Sequence, residues 1–489
     1  MTHLSFQTIE NYVDSKLNDF RHLFPRSATF RNFTTAVLTV MGSTMRHGVT
    51  DSARLVCSGA DKKDGDRFYE NIIHLFRRCN GYCHRNLSKK LAETVRDSGH
   101  MYKNNATGVE RSYIVIDGHN AVRSGRHMPG VKKTVQHSES PSKPQHTFAH
   151  MWGVAGVLVG SKETGIASIP VSGEIQQGEK EIRKWRNEGD YTNRSHVEKM
   201  MLKSCELTEV LGYSYILADT YFYTSKGVKI LQEHNAAHPD RPVILISRAK
   251  KNARAWTPPP VKEDGKRGRP RIRGERVNLA ALFKNKKDFK KAVVNLYGKE
   301  EEVLYLEKIL LWGDDYTRIK FVLCSSSRGD IIFTSTDTEV DAKTIIEAYA
   351  LRWKCECSFK VGSQNTKAFD SHFWTKHMPK LNRYARKTDP DPLTKVKEED
   401  KDKIWRTFRA YERYATVSFI GQALLQLYSL ELAAQAYDSP TWLRTKKEGA
   451  VSIENLIQDI NRVFLLSFAA LRKKLKPDKN KKDSSAIIK

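Results

Sequence analysis

Apolar positions along this chain change their period twice, and each change marks a different kind of structure. Up to about residue 105 they recur three and four apart, most clearly over 33–45, 67–78 and 87–95, which predicts helices with one buried face. From Tyr113 onward come short continuous runs rich in β-branched side chains, at 113–117, 148–160, 165–172, 213–219 and 242–247, and these predict buried strands. The segment 123–145 is rich in Ser, Pro, His and Lys and reads as a loop; 179–212 reads as a long polar helix and 225–234 as a short one. Three strands in succession, then helix, strand, helix, strand, is the order of an RNase H-like domain: an α/β class with a mixed sheet flanked by helices.

Beyond residue 249 the pattern shifts again. A basic, Pro-rich linker, with Pro258-Pro-Pro and Lys266-Arg-Gly-Arg-Pro-Arg-Ile-Arg273, precedes three β-like runs at 303–312, 318–324 and 330–335. They predict a β-rich insertion. A strongly patterned helix over 342–359 follows, then a charged loop at 384–403, a helix over 403–432 and a basic end from Arg472 to Lys482.

Length and charge narrow the class. The 489 residues suit two to four domains, and a hydrophobic share of 39% is enough for real cores, which excludes wholesale disorder. Eighty-three Lys and Arg against 56 Asp and Glu leave a formal charge of +27, the balance of a chain that meets a polyanion. The most apolar runs, 152–160 and 463–471, fall short of the ~18 residues a membrane helix needs, so the expected polyanion is nucleic acid and no membrane. The N-terminus lacks a basic stretch followed by an apolar core, so no signal peptide is expected. Seven cysteines without regular spacing suit a reducing compartment.

Two acids stand out. Asp117 and Asp219 each end an apolar strand, where a carboxylate is costly to bury unless paired or bound to a cation. One such Asp is more often a turn former or helix cap. Two of them on neighbouring strands call for a shared cation. A third carboxylate, Glu356, lies in the 342–359 helix, where spacings of three and four put Tyr349, Arg352, Glu356 and Lys360 on one stripe. Against a shared site stands the ordinary reading of Arg352 and Glu356 as a surface i, i+4 pair.

These residues carry a resemblance. The chain resembles the DDE transposases of bacterial insertion sequences, in the branch whose last catalytic helix reads Tyr-x2-Arg-x3-Glu-x6-Lys. Tyr349, Arg352 and Glu356 match that spacing. The text around Ile116-Asp117-Gly and Tyr215-Ile-Leu-Ala-Asp219-Thr-Tyr looks like the family's first and second acidic regions, and Ile246-Ser-Arg248 like the stretch that follows. The signature Lys would fall at Ser363, with Lys360 and Lys367 a turn to either side.

What the resemblance implies is concrete. Asp117, Asp219 and Glu356 would be the catalytic and metal-binding acids, holding two Mg²⁺ ions (Mn²⁺ as substitute), hard cations that prefer oxygen ligands. Tyr349, Arg352 and Lys360 would contact DNA, as would Arg267, Arg269 and Arg271 of the Arg-Gly-Arg-Pro linker. The implied protein is a metal-dependent endonuclease that cuts transposon ends in double-stranded DNA and joins the 3′-OH to target DNA. It would act as a homodimer on DNA in the cytoplasm of a bacterium, at the nucleoid. The alternatives are an RNase H-like nuclease without strand transfer and an inactive transposase-derived DNA binder. The expected domains are 1–105 (helical, DNA-binding), 106–250 (RNase H-like core, first part), 251–338 (linker and insertion), 339–380 (core, last catalytic helix) and 381–489 (charged loop and basic helical end).

Cys79-x3-Cys83-His84 lacks a second ligand pair and reads as free thiols, and His119 and His127 as loop polar residues. Trp353 and Trp374 suit either core packing or stacking on a displaced base.

Overall fold

The computed structural model describes residues 4–475 except 44–47, 58–61, 79–80, 105–109, 136–144, 187–192, 262–268, 270, 385–388, 436, 438, 441 and 443–448, with backbone alone for 104 and 465–475. Arg267, Cys79 and the basic stretch after residue 475 therefore lie outside the described residues. The chain gathers into two compact units. One comprises Met1–Lys90, Val361–Phe373 and Arg406–Lys489; the other comprises Leu91–Lys360 and Trp374–Trp405.

The first unit is helical. It holds α1 (Phe6–Leu17), α2 (Ser27–Gly42), α3 (Gly48–Val56), α4 (Lys62–Ile73) and the start of α5 (His84–Asp97), with most of the Glu398–Ala434 helix and the Ile453–Leu475 helix. A π-helical turn, His74–Arg78, follows α4. Buried Arg413 donates to the carbonyls of Phe76 and Tyr82 at 3.1 and 3.2 Å. The long helix begins at Glu398, five residues before the expected start, because Glu398, Glu399 and Asp400 suit the positive end of the helix dipole. By length and composition it could cross a membrane, but 78% of its most apolar window is buried inside the protein.

The second unit is built on a mixed sheet. Strands β1 (Lys103–Asn104), β2 (Arg111–Val122), β3 (Lys132–Val135), β4 (His146–Ser161) and β5 (Gly165–Ile175) are joined by antiparallel pairings. Helices α6 (Lys180–Lys184) and α7 (His196–Leu211) lead to β6 (Ser214–Ala218), and α8 (Ser225–Ala237) leads to β7 (Val243–Arg248). β6 pairs parallel with β2 and β7 parallel with β6, giving the order β5-β4-β2-β6-β7. This is the RNase H-like arrangement that the sequence predicts. Parallel strands are covered on both faces, which is why the runs at 113–116 and 214–218 are buried at every position and, Ser214 apart, apolar.

Three expectations need correction. The 123–145 loop contains strand β3, whose Thr134 is buried on the sheet and pairs with Thr147. The 179–212 helix is not continuous among the described residues: α6 ends at Lys184, and α7 starts afresh at a capping box between Ser195 and Glu198. The first acid does not end its strand, since β2 continues to Val122 along β4 after its pairing with β6 stops.

The β-rich insertion runs through β8 (Arg254–Trp256), β9 (Arg276–Asn278), β10 (Lys290–Leu296), β11 (Lys299–Trp312), β12 (Thr317–Ser326) and β13 (Gly329–Ser335). Because β13 pairs antiparallel with β7, the insertion extends the central sheet. Helix α9 (Ala342–Leu351), capped by the Asp341 side chain on Thr344 N–H, and α10 (Lys354–Gln364) complete this part of the chain.

Charge is also buried here. Lys199 of α7 donates to Glu179, and both side chains are almost wholly buried. Lys199→Met should cost about 3–5 kcal/mol by stranding the Glu179 carboxylate, and Glu179→Gln with Lys199→Met should recover much of the loss. Urea denaturation measures this; a single variant as stable as the wild type would mean the pair is open in solution.

Candidate active site

Sheet register brings the first two acids together. The parallel pairing of β2 and β6 ends at Ile116 opposite Ala218, so Asp117 and Asp219 follow on neighbouring strands. Adjacent strands lie about 4.8 Å apart. Asp117 Oδ1 accepts from the Gly118 N–H at 2.8 Å, and Asp219 makes no side-chain cap for the short turn Thr220–Phe222 that follows it. The turn-former or cap role therefore does not account for Asp219.

The third acid arrives from α9 and α10, and here the expected single helix is interrupted. The N–H groups of Arg352, Cys355 and Glu356 bond to carbonyls three residues back, at 3.0 Å each, so the ladder tightens between Leu351 and Lys354. Arg352, on this tightened turn, reaches β2. Its Nη1 donates to Asp117 Oδ2 at 2.9 Å and its Nη2 to Glu356 Oε1 at 2.6 Å. The Arg352–Glu356 pair is thus half of a bridge to Asp117.

Around Asp219 stand two more groups. Arg248 Nη2 donates to Asp219 Oδ1 at 3.3 Å and the Tyr349 hydroxyl donates to the same oxygen at 3.4 Å. The Arg248 guanidinium also lies 5.6 Å from the Tyr349 ring centre. Arg248 was not among the expected site residues. Its signal is the one the acids carry, a charge directly after an apolar strand, and the register of Leu217 opposite Ile246 places it beside Asp219.

The electrostatics follow from crowding. Burial raises the Asp117 pKa, opposed by the Arg352 guanidinium and the Gly118 hydrogen bond and reinforced by the charges of Asp219 and Glu356. Burial works against the charge on Arg352, yet Asp117, Tyr349 and Glu356 outweigh it and the pKa lies above its ordinary value. Burial pushes the Tyr349 phenol up to about 12.

The remaining expected residues divide. Lys360 is exposed on α10, whereas Lys367 donates to the carbonyls of Ser363 and Gln364 at the end of that helix. Arg269 and Arg271 are exposed on the linker. His127 is committed to the Met378 carbonyl at 2.7 Å, and His119 lies 5.1 Å from the Phe359 ring with its pKa lowered to about 4 by burial and by Arg123. Cys355 is buried, and burial pushes its thiol pKa up, which leaves it inert.

The donor set is three carboxylates, the oxygen ligands that Mg²⁺ or Mn²⁺ requires. Among the described residues no three acids, histidines or cysteines stand close enough together to hold a metal ion as they are. The cations among these acids are the guanidinium groups of Arg352, on Asp117 and Glu356, and of Arg248, on Asp219.

Residues 188–376 match the family model described as a transposase DDE domain, a stretch that contains Asp219 and Glu356 and begins after Asp117. The matched stretch is similar to the family that the sequence resembles, the DDE transposases. Among solved structures, the chain is similar to a piggyBac transposase synaptic complex with hairpin DNA, seen by cryo-EM. The identity is 12% and the TM-score 0.39, over 97% of this chain and 80% of that one. No curated protein matches.

One histidine missed by the sequence reading sits beside these strands. His196 of α7 is buried, neither ring nitrogen has a hydrogen-bond partner, and its ring lies 5.3 Å from Phe222. Burial, with Lys199, lowers its pKa to about 4 from an ordinary 6.5. The unfolded chain therefore binds the extra proton first, and the fold loses stability as pH falls from about 6.5 to 4, by about 3 kcal/mol. Denaturation midpoints of wild type and His196→Phe should diverge across that window; parallel profiles would show that His196 is protonated in the fold.

Proposed function

We propose that this chain is a transposase that cleaves transposon ends and joins the 3′-OH to target DNA, with Asp117, Asp219 and Glu356 as the metal-binding acids. The observation that carries this reading is the convergence on one guanidinium. Arg352 bridges an acid on β2 to an acid on α10, while the second sheet acid lies next along the register. Carboxylates from separate elements gathered around a guanidinium can hold cations, and the match of residues 188–376 to a transposase DDE domain supports reading them as acids for divalent metal.

Two divalent ions, when bound, supply an activated water and a neutralised leaving oxygen. Asp117, Asp219 and Glu356 would hold them. Arg352, released from the carboxylates, keeps its charge at any working pH and is placed to grip a phosphate next to the scissile one. Arg248 and Tyr349 orient Asp219 from behind. Lys360 is the better of the two candidate signature lysines, because Lys367 is bonded to helix carbonyls and Lys360 is exposed. The net charge of +27 and the exposed Arg269 and Arg271 supply sequence-independent attraction to duplex DNA. Because two DNA ends must meet, we take the acting species to be a homodimer.

Asp117→Asn, Asp219→Asn and Glu356→Gln should each reduce Mg²⁺-dependent cleavage of a duplex carrying the element's ends by on the order of 10³-fold, with DNA binding kept. Gel assays of cleavage and binding on the same samples check this, and loss of both together would overturn the assignment. Supplying a 3′-OH end and a target duplex separates the readings: a joined product marks a transposase, cleavage alone a nuclease.

Arg352 yields an independent expectation. As a cation already among the acids, it competes with metal. Calorimetry without DNA should show Mn²⁺ binding Arg352→Gln several-fold more tightly than wild type, a gain of about 1 kcal/mol. Weaker binding would mean instead that Arg352 holds the acids in place for the metal.

A further inference from the structure

A cavity of about 650 Å³ lies beside α9, within the size range of small-molecule sites, and none of Asp117, Asp219 or Glu356 lines it. Its rim comes from turns far apart in the chain. Lys162 belongs to the β4–β5 turn, Tyr297 to the β10–β11 turn and Arg328 to the β12–β13 turn, while Trp353 and Lys354 come from the break between α9 and α10.

The β10–β11 connection is a two-residue hairpin loop in which Tyr297 and Gly298 both take positive φ, +57° and +84°, as such tight turns require. The turn is fastened to α9, since the Asn295 N–H donates to Glu347 Oε1 at 2.8 Å and Asn295 Oδ1 accepts from the Gly298 N–H at 3.0 Å. The Arg328 guanidinium lies over the Tyr297 ring, 4.0 Å from its centre. Tyr297 and Trp353 remain 46% and 44% exposed. The cavity thus offers two open aromatic faces and three cations, and its one acid, Glu347, already accepts a backbone N–H.

We propose that this cavity binds a nucleotide, its base stacked on Trp353 or Tyr297 and its phosphate held by Arg328, Lys162 and Lys354. Stacking on aromatic rings beside cations is how unpaired bases are held without sequence readout. Placement agrees with this chemistry. Tyr113, in the cavity wall, lies on the same face of β2 as Asp117 and four residues away, about 13 Å along the strand. A DNA strand leaving the acids covers that distance in about four steps of 3.4 Å. The nucleotide has two sources, an unpaired position in bound DNA or a free mononucleotide. The first rests on the DNA-cleaving reading above, and the second does not.

The test uses the full chain with dAMP, deoxyribose 5-phosphate, and duplexes with and without one unpaired 2-aminopurine. We expect dAMP to bind about tenfold more tightly than the base-free sugar phosphate, and Trp353→Ala and Arg328→Ala each to weaken dAMP about tenfold, with Trp353→Phe retaining most of the affinity. Thermal melting confirms that these surface variants fold. A preference for the unpaired duplex that Trp353→Ala abolishes assigns the site to DNA; dAMP binding without that preference assigns it to free nucleotide. Neither dAMP binding nor a duplex preference, equal affinity for the sugar phosphate, or variants that bind like wild type would each overturn the proposal.

Discussion

Two carboxylates on neighbouring strands repel one another, and the structure around them is arranged to compensate. The parallel register of β2 and β6 puts Asp117 and Asp219 side by side, and the sheet leaves Asp117 little water. Such a pair is tolerable only with positive charge close at hand. Arg352 and Arg248 provide it from opposite sides, one from the turn after α9 and one from the end of β7. Their partners are chosen by geometry. Arg352 has the reach and the two-pronged guanidinium to hold Asp117 and Glu356 together. Arg248, one strand further along the sheet, meets Asp219 alone.

The same constraint gives the insertion a structural task. Its last strand, β13, extends the sheet beyond β7, and Phe333 of that strand lies 5.2 Å from the Tyr349 ring, whose hydroxyl bonds Asp219. From β11, Trp312 stacks on Tyr223, four residues after Asp219, with ring centres 4.0 Å apart. The segment carrying the second acid is therefore braced by side chains from two strands of the insertion. Insertions that merely decorate a sheet edge do not reach back to a strand terminus in this way.

Much of this was readable in the chain, and what escaped did so for physical reasons. Apolar runs announce strands buried on both faces, so β2, β4, β6 and β7 were legible, and with them the RNase H-like order. β3 was not, because Lys132-Lys-Thr-Val135 is an edge strand with only Thr134 buried, and its pattern looks like a polar loop. Of the candidate site, the three acids, Tyr349 and Arg352 were found from strand ends and helical spacing, and the structure brings Arg352 to two of the acids. Arg248 was passed over because a lone Arg after a strand has no meaning until the register pairs it with Asp219. The break in the 342–359 helix left no trace either, since neither Gly nor Pro marks it. Its residues all favour a helix, and the ion pairs of Arg352 form only in the tertiary fold.

That break ties the two ends of the unit's chemistry together. In an uninterrupted helix, residues 352 and 353 would point about 100° apart and the stripe through Tyr349, Arg352, Glu356 and Lys360 would be continuous. The tightened turn keeps Arg352 on Asp117 and Glu356 while Trp353 and Lys354 face the neighbouring cavity. Consecutive residues therefore report to different sites.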